Sequence, residues 1–384
     1  MKSIKATFRV VTPLFMAGAD AGTAELRAAS VKGALRFWYR AIALGRLKTW
    51  EKVMEEEQEW FGSTRCGQAR FTLRVEAAGR LETEPAGSRW PWPGSAYLGY
   101  GPITPGQNAQ SARPYIRPGT IFNVFITLRP GVDTVLGDHL VRAIRALGLL
   151  GGLGSRSRRG FGSVALQAVE LDGAERRTDP ATVDELRNYI EKIWGDTALP
   201  AGPPEYTALS AQSRIAIVSF GQQDPLAVLD DLGREMMGYR SYGHRDNRSG
   251  RHILPWRAEA EQNFSPDHDL VRAVATGGSE KRHPERVVFG LPHNYHFSTP
   301  GARDVEVTGE TVERRASPLF IHMHPLAGEY VAVLSLLPAR FVPAGENILM
   351  KPKGGRGISV PCQVDFGVLH RFIDRFDSRV EVRI

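Results

Sequence analysis

The segment GLLGGLGSRSRRGFGSV, residues 148–164, carries the strongest fold signal in this chain. It follows a predicted helix at 134–149, in which apolar residues recur every three or four positions, and it runs into a predicted strand at 161–171. A Walker loop requires Gly-Lys-Ser/Thr, and a Rossmann fingerprint requires a strand, then glycines, then a helix. Because the order here is helix, glycines, strand, the segment fits neither motif. We call this segment the Gly/Arg loop.

The Gly/Arg loop combines glycine and arginine at high density. Since the carboxyl end of a helix carries partial negative charge, the arginines must supply any attraction for phosphate, while the glycines allow close backbone approach. This combination favours a nucleic-acid backbone over a nucleoside triphosphate. The alternative is a glycine helix cap followed by a solvated arginine turn, and the density of the run makes us favour binding. The residues concerned are Gly151, Gly152, Gly154, Ser155, Arg156, Arg158, Arg159, Gly160 and Gly162.

The elements around the Gly/Arg loop follow one another in a regular order. Before it, periodicity predicts a strand at 4–11, a helix from Ser30 to Gly45, a short helix at 48–60, and strands at 69–76 and 120–129. With the helix and strand that flank the Gly/Arg loop, this order is β-α-β-β-α-β, the ferredoxin-like unit. Residues 88–119, rich in proline, glycine and aromatic side chains, are predicted to form a long loop of open role.

The second half restarts the same pattern after a Pro/Gly-rich stretch. Residues 213–220 read as a strand and 225–237 as a helix, followed by a basic stretch at 240–262 whose role stays open. The predicted fold class is therefore α+β, with two ferredoxin-like (RRM-like, βαββαβ) domains. The predicted boundaries are 1–196 for the first domain, 197–212 for the linker and 213–384 for the second domain.

The predicted helix from Ser30 carries a basic stripe. Lys32, Arg36 and Arg40 are spaced by four, so they lie on one side of the helix, and Arg27 precedes them. Lys32 would lie in the first turn, where the helix dipole disfavours a cation. An anionic ligand at the start of this helix would explain its presence.

The charge of the whole chain also favours a nucleic-acid partner. Lys and Arg number 49 against 42 Asp and Glu, a net charge of +7, and 40 of the 49 cations are arginine. Residues 1–50 hold a local +7 and residues 100–165 a local +6, so the charge is clustered. A GC-rich genome that encodes Arg in place of Lys is the alternative explanation for the arginine content.

Other function classes find little support in the sequence. No apolar run is long enough for a membrane span and no signal peptide is recognisable, so a cytoplasmic protein is expected. Cys66 and Cys362 are too few for a disulfide framework. His322 and His324 would share one face of a strand, as in some metal sites, but this interpretation is disfavoured and their role is left open. We therefore predict no catalytic residue, no metal and no cofactor.

Four stretches of the sequence resemble the RAMP proteins of CRISPR systems, and specifically the family of the first-numbered subunit of the type III-B Cmr effector complex. They are TPLFMAGAD at 12–20, ELRAASVKGALRFWYR at 25–40, GGLGSRSRRGFGSV at 151–164 and RRASPLFIHMH at 314–324. The resemblance implies two ferredoxin-like RAMP domains in a cytoplasmic ribonucleoprotein of antiviral defence. It also implies partners: the 3′ region of the guide (CRISPR) RNA, target single-stranded RNA and other Cmr subunits.

The resulting prediction is a non-catalytic RNA-binding subunit. The predicted RNA-binding residues are Arg27, Lys32, Arg36, Arg40, Gly152, Gly154, Ser155, Arg156, Arg158, Arg159, Arg314 and Arg315. The alternative is a metal-independent RAMP endoribonuclease that processes CRISPR transcripts, which would need a histidine beside the Gly/Arg loop. Only His139 is near the loop in sequence, and it lies within a predicted helix, which disfavours the enzyme. A scaffold without RNA contact would leave both basic blocks unexplained.

Overall fold

The computed structural model describes residues 2–104, 106, 108–132, 134–195, 197–297 and 301–384. It divides into two compact units that are both discontinuous in sequence. The first unit consists of Met1–Gly233, Phe320–Leu337 and Ser378–Ile384; the second consists of Arg234–Leu319 and Pro338–Asp377. The predicted linker at 197–212 falls inside the first unit of this division. As a boundary between separately folding domains, it stays a prediction.

The first part of the chain forms a five-stranded antiparallel sheet covered by helices. Its elements are β1 (Ser3–Val10), α1 (Ala28–Leu47), α2 (Trp50–Phe61), β2 (Phe71–Ala77), an insertion with β3 (Thr83–Glu84), α3 (Pro93–Leu98), β4 (Ile103–Thr104), β5 (Gln110–Ser111) and β6 (Tyr115–Ile116), then β7 (Ile121–Leu128), α4 (Thr134–Leu150), β8 (Val164–Leu171), β9 (Ala174–Arg177) and α5 (Val183–Glu191). The strand order is β2-β7-β1-β8-β9. Its first four strands have the order of a βαββαβ unit.

The following part supplies a second sheet and several insertions. The elements are β10 (Arg214–Gln222), α6 (Pro225–Arg240), β11 (His244–Arg245), β12 (His252–Ile253), α7 (Ser265–Ala275), a 3₁₀ helix (Glu285–Phe289), β13 (His293–Tyr295), β14 (Val305–Gly309), β15 (Leu319–Pro325), β16 (Tyr330–Leu336), β17 (Asn347–Pro352), β18 (Ile358–Pro361), α8 (Gly367–Asp374) and β19 (Arg379–Val382). The second sheet has the order β15-β16-β10-β19, and β13-β14-β17-β18 form a third.

Burial alternates along β1, β2 and β7 of the first sheet, whereas β15 and β16 of the second sheet are buried at nearly every position. On β1, Ile4, Ala6, Phe8 and Val10 are at most 1% exposed, whereas the residues between them are half-buried. One apolar core cluster contains side chains from the helices and from both main sheets, so within the first unit the two sheets share a core. The predicted mixed α and β class is confirmed. No helix among the described residues is long and apolar enough to cross a membrane.

Several local predictions need correction. The helix α1 begins at Ala28, with Arg27 as its N-cap residue, and it runs to Leu47. Ser30 is therefore not the cap, and Lys32 lies in the second turn, where the dipole argument no longer applies. The sequence also predicts a strand near 286–290, but the structure has the 3₁₀ helix Glu285–Phe289 there, followed by Gly290 at φ +120°. The segment 88–119 contains α3 and short strands, stabilised by the Asp230 carboxylate, which accepts hydrogen bonds from the Gly94 and Ser95 amides.

Candidate nucleic-acid interface

The Gly/Arg loop lies directly beside the segment that follows β1. The Gly162 amide donates to the Pro13 carbonyl (3.0 Å), and the Ser155 amide donates to the Phe15 carbonyl (2.9 Å). The Thr12 hydroxyl donates to the Gly160 carbonyl (2.6 Å). Since β8 is the neighbour of β1 in the sheet and antiparallel to it, the last residue of β1 and the first residue of β8 lie at the same end of the two strands. The segment after β1 and the Gly/Arg loop, which belong to the two basic regions 1–50 and 100–165, are therefore neighbours.

Strand β15 holds the Gly/Arg loop from the other side. The Ile321 amide donates to the Arg158 carbonyl (3.1 Å), and the Met323 amide donates to the Ser163 hydroxyl (3.0 Å). His322 Nδ1 lies 2.6 Å from the Gly151 carbonyl oxygen and donates to it. Three successive residues of β15 thus bond to points spread along the loop. The loop is a fixed part of the fold rather than a solvated turn.

The glycines of the loop are required by this packing. A Cβ on Gly154, which has φ +75°, would lie 2.4 Å from the Phe15 carbonyl oxygen. A Cβ on Gly152 would approach three backbone carbonyls, the nearest being that of Gly162 at 3.0 Å. The contact at Gly154 is closer than a Cβ tolerates, and the contacts at Gly152 are so tight that a side chain there would force the neighbouring carbonyls to shift. At these two positions, close approach within the protein accounts for glycine, and no ligand needs to be invoked.

The three arginines of the loop lie in different surroundings. Arg156 is exposed, its Nε donates to the Tyr100 carbonyl (2.8 Å), and its φ is +61°. The Arg158 guanidinium is half-buried, 4.3 Å from the centre of the Phe320 ring and 5.2 Å from that of Phe37. Arg159 is half-buried and its backbone pairs with Ile321. Arg156 is therefore the loop arginine that is presented to solvent.

The basic stripe of α1 faces a buried carboxylate. Glu57 of α2 is 1% exposed; it accepts a hydrogen bond from Arg36 Nε, and its Oε1 lies 3.6 Å from an Arg40 guanidinium nitrogen. The Arg36 guanidinium also donates to the Gly62 carbonyl (3.1 Å). Burial, followed by the charge of Arg36, lowers the pKa of Lys32, whose Nζ lies 5.6 Å from the centre of the Phe71 ring. The stripe is thus partly neutralised inside the fold.

The remaining predicted cations lie at the start of α1 and in the second unit. Arg27 is exposed, donates to the Ala17 carbonyl (3.2 Å) and lies 3.4 Å from the Glu25 carboxylate. Arg314 is exposed. Arg315 is half-buried and donates to the Arg340 carbonyl (3.0 Å). Of these three, Arg27 and Arg314 present charge to solvent.

Of the three histidines considered for chemistry, two are core residues and His139 is half-buried. His322 and His324 are fully buried, and His322 Nε2 lies 3.2 Å from His324 Nδ1. Burial lowers the pKa of His322 to about 4 and that of His324 well below its usual range. His139 stacks on the Trp60 ring, and burial lowers its pKa. Among the residues that the structure describes, no group of three or more His, Cys, Asp or Glu is arranged to hold a metal ion.

Comparison with known protein families identifies part of the chain. The family model of the RAMP superfamily matches residues 7–165. The matched region contains α1, β2, β7 and the Gly/Arg loop, together with the second half of β1 and the first two residues of β8.

Individual relatives point in the same direction. The chain is similar to the CRISPR system Cmr subunit Cmr1-2 of Pyrococcus furiosus, with 48% identity over 67 residues, which are 17% of this chain and 35% of that protein. It is also similar to subunit Cmr1-1 of the same organism, with 26% identity over 332 residues, which are 83% of this chain and 82% of that protein. The resemblance to RAMP proteins and to Cmr subunits that the sequence predicted is confirmed.

Two solved structures share the fold. One is the crystal structure of Cmr1 from Pyrococcus furiosus in its apo form, with a TM-score of 0.60, 18% identity and coverage of 100% of this chain and 99% of that one. The other is a chain in the type III-B Cmr-beta complex bound to cognate target RNA and AMPPnP in the presence of single-stranded DNA, with a TM-score of 0.51, 12% identity and coverage of 97% and 98%. At these identities the likeness concerns the fold alone.

Some residues that matter for the structure could not be recognised from the sequence, and others could have been. Glu57 looked like one of several acids on the exposed side of a short helix, and nothing local indicates that it is the buried one. The stretch KPKGGRG at 351–357, by contrast, is visible in the sequence as a basic, glycine-rich run. It is the hairpin between β17 and β18, and its combination of glycine with cations is the signal that could have identified it.

Proposed function

We propose that this chain is a non-catalytic RNA-binding subunit of a type III-B Cmr ribonucleoprotein complex, in which it contacts the 3′ region of the guide RNA and target RNA. The RAMP-superfamily match and the similarity to Cmr subunits of Pyrococcus furiosus support membership of such a complex. The clustered positive charge supports RNA as the ligand, because contacts to phosphate dominate the affinity of proteins for nucleic acids.

Arg156 is the observation that carries the proposal. A residue other than glycine that is held at positive φ destabilises the fold by on the order of 1 kcal/mol, and residues in such strained conformations cluster at functional sites. Here the cost falls on an exposed arginine in a loop that β15 and the segment after β1 hold in place. A rigid loop that presents a guanidinium at a fixed position lowers the entropy lost when phosphate is bound.

The predicted contact residues fall into two groups within this proposal. Arg27, Arg156 and Arg314 are exposed and can contact phosphate directly. The half-buried cations would contact RNA with the parts of their side chains that remain accessible, while also positioning the loop and α1. These are Lys32, Arg36, Arg40, Arg158, Arg159 and Arg315. Gly152, Gly154 and Ser155 set the loop backbone on which Arg156 is placed.

The proposal includes the finer description of the fold. Each of the two main sheets contains four strands that correspond to the four strands of a βαββαβ unit. Numbered by their order along the chain, these strands lie side by side as 2-3-1-4 in both sheets, which supports two ferredoxin-like RAMP domains. On this proposal the first domain spans 1–196 and the second 213–384. The shared apolar core explains why both sheets fall in one compact unit.

The test is the salt dependence of RNA binding by Arg156→Ala. Loss of one phosphate contact lowers the magnitude of the slope of log K against log salt by about 0.7 for a single strand, and weakens binding about fivefold at 0.1 M salt. Arg156→Lys keeps the charge and should keep most of the slope. Arg80→Ala removes an exposed arginine elsewhere and serves as the control. An Arg156→Ala slope equal to that of wild type would refute the role of the loop.

The non-catalytic part of the proposal has its own test. RNA cleavage without a metal needs an acid and a base positioned at the substrate, and the candidate histidines 322 and 324 lie in the core with their pKa values lowered. Labelled single-stranded RNA should therefore stay intact with the purified protein and Mg²⁺ or Mn²⁺. Cleavage that persists in highly purified protein and is lost in a His139→Gln variant would instead identify the alternative, a RAMP endoribonuclease.

A further inference from the structure

A cavity of about 530 Å³ opens in the second unit between the end of α7 and the hairpin that joins β17 to β18. Apolar side chains, among them Val274 and Ile358, form part of its wall, and Thr276 and Ser279 add hydroxyl groups. Arg303 and Arg356 line the same cavity, and both residues are exposed. Apolar surface, hydroxyls and guanidinium groups are thus combined in one place.

Glycine leaves the backbone around this cavity uncovered. Gly277, at the end of α7, and Gly354, in the hairpin, have φ values of +93° and +68°, which favour glycine, and a Cβ at either position would meet nothing within 4 Å. A ligand can therefore approach the main chain closely. At Gly355, a Cβ would lie 2.9 Å from the Arg303 guanidinium, so a side chain there would displace that group.

The charge around the cavity is positive. Lys351, Lys353 and Arg356 lie within the seven residues KPKGGRG, and Arg303 lines the cavity beside them. Glu306 is the cross-strand neighbour of Lys351 and offsets its charge in part. The Arg303 guanidinium lies 3.5 Å from the Gly354 carbonyl oxygen, a contact that orients the group without neutralising its charge.

The partial negative charge at the carboxyl end of α7 does not cancel the positive charge around the cavity. The carboxyl end of a helix attracts cations and repels anions because its last carbonyl groups lack partners. Here the Gly278 amide donates to the Ala273 carbonyl (2.8 Å), and the Thr276 amide donates to the Arg272 carbonyl (3.1 Å). Since these carbonyls are bonded within the helix end, the arginines and lysines decide the sign of the local potential.

We propose that this cavity binds the phosphate backbone of a single-stranded RNA, as a second RNA contact of the chain in addition to the Gly/Arg loop. Guanidinium groups pair with phosphate oxygens, and the apolar wall can accept a base. The cavity is large enough for a nucleotide unit, and the exposed Arg303 and Arg356 at its wall are accessible to a strand that continues beyond it. This inference rests on the proposed RNA-binding function and extends it to the second unit.

The experiment compares RNA binding by the full-length protein and by Arg303→Ala/Arg356→Ala, using a fluorescein-labelled single-stranded RNA of about 20 nucleotides over a range of salt concentrations. Loss of two phosphate contacts should reduce the slope magnitude by about 1.4 and weaken binding about 25-fold at 0.1 M salt. Arg80→Ala/Arg371→Ala removes two charges away from the cavity and should bind nearly as wild type. Arg303→Lys/Arg356→Lys should restore most of the slope.

A variant that keeps all charges tests the geometry. Gly355→Ala displaces the Arg303 guanidinium, whose flexible side chain can move, and places a Cβ 3.2 Å from that of Pro352, while Gly355 itself is not at positive φ. We expect weaker RNA binding with at most a small decrease in melting temperature. Binding equal to wild type in both Gly355→Ala and the double alanine variant would overturn the cavity assignment while leaving the Gly/Arg loop intact.

The remaining outcomes separate this inference from the proposed function. If wild-type protein does not bind RNA at all, both are wrong. If the double alanine variant binds RNA normally but no longer associates with the other Cmr subunits, the cavity binds protein and the inference is wrong. If it loses binding of uridine monophosphate but keeps RNA binding, the cavity takes a free nucleotide, and the assignment to an RNA strand is also wrong.

Discussion

The carboxylate of Glu57 pairs with two of the cations on the basic stripe of α1. Arg36 and Arg40 both approach it, and Glu57 is almost completely buried. A buried carboxylate without a partner is costly, so each cation stabilises the packing of α2 on α1. Arg36 and Arg40 therefore have a structural task, whatever contact with RNA they also make.

Glu57→Gln should lower the free energy of unfolding by about 1.5–3 kcal/mol, because the buried carboxylate that pairs with Arg36 and Arg40 becomes a neutral amide and both cations lose their counter-charge. Urea unfolding measures the change. Glu59→Gln on the same helix is the matched control, since Glu59 pairs with Arg70 at the surface and should cost less than about 1 kcal/mol. Equal stability of the two variants would mean that Glu57 does not hold α1 and α2 together.

At the scale of elements, β15 links the second sheet to the Gly/Arg loop. Its backbone and His322 bond to three points of the loop, and Phe320 lies against the Arg158 guanidinium. His322 donates from Nδ1, so its Nε2 can accept from His324 Nδ1 only while His322 is neutral. Protonation of His322 would therefore break its bond to His324, while its bond to the Gly151 carbonyl would remain.

Acid should weaken the fold through His322. A histidine in the unfolded chain has a pKa near 6.5, whereas burial lowers the pKa of His322 in the folded protein to about 4. Between these values the unfolded state binds more protons, so this stabilisation is complete above pH 6.5 and is lost as the pH falls toward 4. From pH 7 to pH 5 the loss is about 2 kcal/mol.

The measurement is urea unfolding at pH 7 and pH 5. His322→Gln should show a smaller loss of stability on acidification than the wild type, although it is less stable at pH 7. His296→Gln alters an exposed histidine and serves as the control. A wild-type pH dependence no steeper than that of His322→Gln would contradict a buried, neutral His322.

At the scale of the whole molecule, the net charge of +7 and the two basic regions set the expected footprint of RNA. In an assembled type III-B complex, ultraviolet crosslinking followed by peptide mapping should find RNA attached to peptides from the Gly/Arg loop and from the hairpin at 351–357. A complex assembled without guide RNA gives the background. Crosslinks confined to peptides outside both segments would contradict the two RNA contacts together.

Much of the fold was readable from local patterns. The alternation on β1 and the apolar periodicity of α4 predicted the bounds of these elements within one or two residues. The buried face of a strand or helix is visible in the sequence because its apolar residues recur every second or every third to fourth position. The Gly/Arg loop was equally visible, since its glycines and arginines are consecutive. The start of α1 was misplaced because Ser30 is a good capping residue that the structure uses inside the helix.

The partners of these residues could not be read in the same way. Glu57, Phe15 and His322 meet α1 or the Gly/Arg loop across long sequence separations, and no period in the sequence encodes such a contact. Gly154 was expected to make room for a ligand, yet it makes room for the Phe15 carbonyl. Local composition specifies which groups a segment contains, whereas the packing of distant segments decides which groups are buried, paired or left facing solvent, as Arg156 is.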